Sequence, residues 1–60
     1  MIYKVDATFG ILVRVGDKIQ KGDKLGIDKN LKDILAQEDG VVKNIVFDGN
    51  EHMFLIEVED

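Results

Sequence analysis

The chain contains no cysteine, no proline, no tryptophan and no serine, and it has one histidine, His52, and one threonine, Thr8. Without cysteine there is no disulfide framework, thiolate metal site or redox thiol. Without serine or cysteine the commonest nucleophiles are missing, and one imidazole does not build a histidine-rich metal centre. These gaps argue against a self-sufficient enzyme and for a binding, scaffold or carrier module with no metal. Positive charge is scarce as well, with eight Lys and Arg against twelve Asp and Glu and a net charge of -4. A nucleic-acid binder needs clustered cations to displace the counterions of phosphate, so no nucleic-acid partner is expected. No apolar run approaches the roughly 20 residues of a membrane-spanning helix, and the opening MIYKVDATFG lacks the apolar stretch of a signal peptide. The expectation is a soluble cytoplasmic protein with no transmembrane segment. Its 60 residues are read as one domain over 1–60, too short for two separate cores. With no disulfide or metal, so small a domain must close its sheet well or lean on a partner.

The apolar residues that are present recur with period two. Tyr3 and Val5 alternate with Lys4 and Asp6; Ile11, Val13 and Val15 alternate with Leu12 and Arg14; Phe54, Ile56 and Val58 alternate with Leu55, Glu57 and Glu59. Val41, Ile45 and Phe47 are placed on one side of a strand that Lys43 interrupts. Shorter strand candidates are 24–27 and 33–36, although Leu31, Ile34 and Leu35 within 29–37 also fit one face of a short helix. Glycine beside Asp or Asn punctuates the runs at Gly16-Asp17, Gly22-Asp23, Asp39-Gly40 and Asp48-Gly49-Asn50, and these read as structural turns. Asp48-Gly49, between two apolar runs, is the strongest hairpin signal. Short strands with turns at such spacing predict an all-β barrel or sandwich. The stretch 10–17 (GILVRVGD) is echoed at 40–50 (GVVKNIVFDGN), which adds a pseudo-twofold arrangement of two halves.

The segment 13–26, VRVGDKIQKGDKLG, resembles one half of the biotinyl and lipoyl attachment domains, and 35–46, LAQEDGVVKNIV, resembles the other, with Gln37 where that family usually has proline. The closing LIEVE at 55–59 is similar to the family's last strand. The resemblance implies a small barrel-sandwich hybrid. It also implies a functional lysine at the tip of the hairpin joining the two halves, whose ε-amine takes lipoate or biotin in an amide. Counting back from Asp39-Gly40, the lysine is Lys29, and Asp28-Lys29-Asn30 is similar to the lipoyl D-K-A; biotin's M-K-M has no counterpart. Counting forward from Gly22 points to Lys32 instead, so the register over 27–35 stays open between the two. The short span from Gly10 to Gly16, and Glu51-His52-Met53-Phe54 in place of a second V-x-x-G turn, look more like the unmodified barrel-sandwich modules of electron-transport subunits and secretion adaptors.

The remaining residues are read as structural. His52 beside Glu51 is expected as an exposed turn histidine, and Asp17, Asp23, Asp39 and Asp48 lack calcium-loop spacing and are expected to close turns. Tyr3, Phe9, Phe47 and Phe54 are assigned to the core, with Phe47 and Met53-Phe54 as a candidate partner surface at one hairpin end. Lys18, Lys21 and Lys24, interleaved with Asp17 and Asp23, are read as a solvated face. The leading expectation is a non-catalytic structural or docking module for a protein partner or enzyme complex, with no covalent cofactor. The alternative is a lipoyl or biotinyl carrier modified on Lys29. A third is homo-oligomerisation through an exposed strand edge.

Overall fold

The period-two pattern of the C-terminal half forms the spine of the molecule. In the computed structural model, which describes residues 1–60, six strands and no helix follow one another: β1 (Ile2–Asp6), β2 (Lys18–Ile19), β3 (Lys24–Ile27), β4 (Asp33–Leu35), β5 (Gly40–Asp48) and β6 (Met53–Glu59). One antiparallel sheet has the order β1-β6-β5-β2, and β3 with β4 forms a second, two-stranded sheet. Their inner faces enclose one core of Tyr3, Val5, Val13, Ile19, Leu25, Ala36, Val42, Ile56 and Val58. This is the all-β barrel-sandwich architecture. Leu25, Ile56, Val5 and Val42 are fully buried, and each such side chain stabilises the fold by about 1.5–3 kcal/mol relative to exposure.

The long β5–β6 hairpin follows from the Asp48-Gly49 signal. Asp48 Oδ1 accepts hydrogen bonds from the N–H of Asn50 (2.9 Å) and of Glu51 (3.4 Å), and the left-handed residue of the turn is His52, with φ 57°. A bulge falls between Val42 and Asn44, because Val42 pairs with Val58 and Asn44 with Glu57, leaving Lys43 as the extra residue. The bulge reverses the alternation that the sequence predicts for this strand. Val42 rather than Val41 is buried, while Ile45 packs on the core's edge and Phe47 is 53% exposed.

Two turns with identical wiring bracket β2. Arg14 N–H donates to Asp17 Oδ2 (2.9 Å) while Asp17 N–H donates to Arg14 O (3.1 Å), and Gln20 with Asp23 repeats both bonds at 2.8 and 2.9 Å. Gly16 N–H then donates to Val42 O and Gly22 N–H to Ala36 O, both at 2.8 Å. Gly16 and Gly22 adopt φ 96° and 95°, a left-handed backbone that residues with a Cβ rarely take. Behind this lies a six-residue repeat whose lead positions, Val13, Ile19 and Leu25, are all buried.

Several sequence expectations are corrected. Residues 11–15 form no strand: the segment touches the sheets through Leu12 N–H to Leu25 O (3.1 Å), Val13 alone is buried, and Val15 lies within the Arg14–Asp17 turn with 59% exposure. Of the two readings of 29–37 the strand holds and the helix does not, because β4 occupies the segment's centre and pairs with β3. Gly40 is not a turn glycine. It sits in β5 without a positive φ, where an added Cβ would lie 2.7 Å from both Glu59 O and Val58 Cγ1. Gly49 lies in the hairpin turn but does not supply its left-handed residue. Of the four aromatic rings assigned to the core, Tyr3 is buried and Phe54 packs against it, whereas Phe9 is 51% exposed.

Candidate functional site at the β3–β4 hairpin tip

The hairpin between the two sequence halves begins at Gly26, whose missing side chain lets β3 lie against β1; a Cβ there would stand 2.8 Å from Val5 Cβ. Register pairs Gly26 with Ile34 and Ile27 with Asp33, and Asp28 N–H donates to Lys32 O (2.8 Å) to close the stem. Beyond that closure stand Lys29, Asn30 and Leu31. Asp28 builds the turn: its Oδ1 accepts from Asn30 N–H (2.8 Å) and Lys32 N–H (3.0 Å), and its carbonyl accepts from Leu31 N–H (3.0 Å). A short acidic side chain that satisfies successive backbone donors fixes such a turn without a proline.

Lys29 and Lys32 are thereby separated. Lys29 is the first residue of the tip, exposed, whereas Lys32 lies at the stem, its backbone engaged on both sides by Asp28. The single ion pair of the molecule, Lys24 Nζ to Asp33 Oδ1 at 3.1 Å, lies in the stem, so the Lys29 ammonium is free. Leu31 is the odd residue. It is 68% exposed and left-handed at φ 65°, a conformation costly for a side chain branched beyond Cβ. Replacing Leu31 by glycine is expected to raise stability by about 1 kcal/mol, read as a higher denaturant midpoint with an unchanged slope.

The same end of the molecule carries the exit of β1. Asp6 Oδ1 accepts from Thr8 N–H (2.7 Å), and Thr8 Oγ1 lies 3.4 Å from His52 Nδ1. The Thr8 backbone N–H, then the Thr8 hydroxyl, hold the Asp6 carboxyl below the usual carboxylate range, with smaller help from the charges of His52 and Lys29 and against a small desolvation effect. A depressed folded-state pKa stabilises above the unfolded-state value, and that contribution is lost as pH falls through the folded value. Acid titration followed by NMR at the Asp6 side chain is expected to show a midpoint below that of an unstructured aspartate, and Thr8→Pro, which removes the N–H donor, returns it toward the ordinary value.

The other residues singled out by sequence lie elsewhere. His52 packs edge-on against Phe47, ring centroids 5.9 Å apart, and Phe47 packs on Phe54 at 5.5 Å. The carboxylates of Asp17, Asp23, Asp39 and Asp48 each accept a backbone N–H at a turn. Lys18, Lys21 and Lys24 are exposed, and Lys24 alone of these is ion-paired. Sequence reasoning missed the parts that Asp28, Gly26 and Leu31 play in the hairpin. An aspartate followed by Lys-Asn was a readable turn signal for the first; nothing local marks Leu31 as left-handed.

Six strands folded as a barrel-sandwich, with an exposed lysine at the tip of the β3–β4 hairpin, define a class of small all-β domains. The sequence matches the family described as "Biotin-requiring enzyme" over residues 1–53, and the chain belongs to this biotinyl/lipoyl family. No curated protein and no solved structure gives a significant match. No helix is long and apolar enough to cross a membrane.

Proposed function

We propose that the chain is a non-catalytic module of a larger enzyme assembly and that Lys29 is its point of covalent attachment for lipoate or biotin. The observation that carries this reading is the placement of Lys29: exposed, free of any ion pair, and first on a tip fixed by Asp28. The residues present suit such a group. A ligase needs an accessible amine on a backbone of one conformation, and the Asp28 hydrogen bonds hold that conformation while the stem pairing keeps the tip clear of the core. Lys29 Nζ, once deprotonated, would attack the carboxyl carbon that the ligase has activated as an adenylate. The C–N bond forms as the C–O bond to AMP breaks and AMP leaves, and the Lys29 stem with its group would then extend from the hairpin. The attached group, when present, supplies the carriage of acyl or carboxyl units between active sites; the chain supplies anchorage and orientation.

A second reading is the unmodified docking module that sequence reasoning placed first. The three-residue tip with left-handed Leu31, and the lack of the family's biotin-type flanks around Lys29, favour it. One experiment separates the two. The chain is co-expressed with a lipoate ligase or a biotin ligase and its intact mass measured for the wild type, Lys29→Arg and Lys32→Arg. The carrier reading expects one added group in the wild type and Lys32→Arg and none in Lys29→Arg. Unmodified wild type under both ligases leaves the docking module.

A further inference from the structure

Away from the hairpin tip, two strand edges face each other without pairing. Along β1, Val58 N–H donates to Met1 O (2.8 Å) and Ala7 N–H to His52 O (3.0 Å), so odd-numbered residues bond β6. The backbone N–H and C=O groups of Ile2, Lys4 and Asp6 therefore point away from it. In β4, closure between Asp28 and Lys32 and the Gly26–Ile34 pairing turn Ile34 toward β3, which points the backbone of Asp33 and Leu35 outward. β1 and β4 belong to different sheets. An open groove of about 700 Å³ runs between them, and Ile2, Lys4, Lys21, Asp33, Ile34 and Leu35 are among its walls. One hydrogen bond spans the gap, from Gln37 N–H to Tyr3 Oη at 3.0 Å.

The groove has a sign. Asp33, its one carboxylate, is neutralised by Lys24, while Lys4 and Lys21 have no ion-pair partner. Within the groove's own lining the unpaired charges are therefore both positive, while Lys21 also borders Glu38, Asp39 and Asp60 on its far side. The groove is also partly apolar, with Ile2 61% and Leu35 47% exposed. Unpaired edge groups accept an extended strand, the flanking cations select acidic side chains, and the exposed aliphatics select apolar ones in alternation.

We propose that this groove docks an extended acidic segment of a partner protein, in which acidic and apolar residues alternate, and that the segment adds as a strand to the free edge of β1. The proposal is independent of whether Lys29 is modified, since no residue of 28–32 lines the groove.

The test is an amide NMR titration of the full chain with a short blocked peptide alternating Glu and Val. The expected result is shifts confined to residues 2–6, 21 and 33–37, with slowed solvent exchange of the Lys4 amide. The same peptide N-methylated at alternate residues should not bind, and the Lys4→Glu, Lys21→Glu double variant should bind about tenfold more weakly. A peptide alternating Lys and Val should produce no comparable response. Shifts elsewhere, equal binding by the N-methylated or the Lys-Val peptide, or no binding would overturn the proposal. So would the same shifts arising on concentration of the chain alone, which would assign the edge to a second copy. Should the double variant fail to fold, the N-methylated peptide decides without it.

Discussion

Leu25→Ala is expected to cost roughly 3–5 kcal/mol, as Leu→Ala does at fully buried sites where the cavity cannot collapse. Leu25 is completely buried and stands on β3, in the smaller sheet, within the cluster that includes Ile56 and Val42 of the larger one. Removing it takes away apolar area that both layers share, so neither sheet can close over the gap alone. The total stability of a 60-residue chain falls in the range of about 3–9 kcal/mol. The loss is therefore comparable to the whole, and a substantial unfolded fraction is expected at room temperature. Urea titration by circular dichroism checks this; a loss below about 1 kcal/mol would mean that the two sheets do not share a core at Leu25.

The second large effect comes from adding atoms. Gly40→Ala would place a Cβ 2.7 Å from the Glu59 carbonyl oxygen and 2.7 Å from Val58 Cγ1. Val58 could be shifted, but the carbonyl is backbone, and Gly40 is also paired with Ile19 of β2 on its other side. Pushing β5 off β6 therefore strains two strand pairings at once. A destabilisation of about 3 kcal/mol is expected, at the upper end for overpacking. Gly49→Ala is the control: its Cβ would meet only Phe47 Cε2, at an ordinary 3.6 Å, and its effect should stay within about 0.5 kcal/mol. Equal effects at the two glycines would contradict the close approach of β5 and β6.

The contrast between these glycines also marks what could be read in advance. Gly40 and Gly49 each stand beside an aspartate in sequence, and neighbours alone do not distinguish a turn from a strand packed too closely for a side chain. The all-β class, the hairpin around Asp48-Gly49 and the buried Tyr3, Val5, Ile56 and Val58 were legible because a half-buried strand enforces alternation. The same rule misplaced residues 11–15: their alternation is real, but the Arg14–Asp17 turn removes Val15 from the core, and Leu12 N–H to Leu25 O is the one backbone bond the segment makes to a strand. In β5 the bulge at Lys43 breaks the parity on which the rule depends.

For the candidate lysine the sequence left two positions open. Residue counts from either flank gave Lys29 or Lys32, because an insertion or deletion in a hairpin arm leaves no trace in the counts themselves. The choice rests on Asp28, whose side chain closes the turn so that Lys32 becomes stem and Lys29 becomes tip. An exposed strand edge was expected, but nothing in the sequence marked β1 and β4 as the strands that leave it, since that depends on which strands of the two sheets fail to meet.

The measurement that bears most directly on the account is site-resolved mass spectrometry of the wild-type chain after incubation with each ligase, its nucleotide and its free cofactor. Attachment at Lys29 yields a single modified peptide, with the added group on Lys29 and none on Lys32 or Lys24. Modification on Lys32, or a chain left unmodified by both ligases while a known acceptor domain in the same tube is modified, would contradict it.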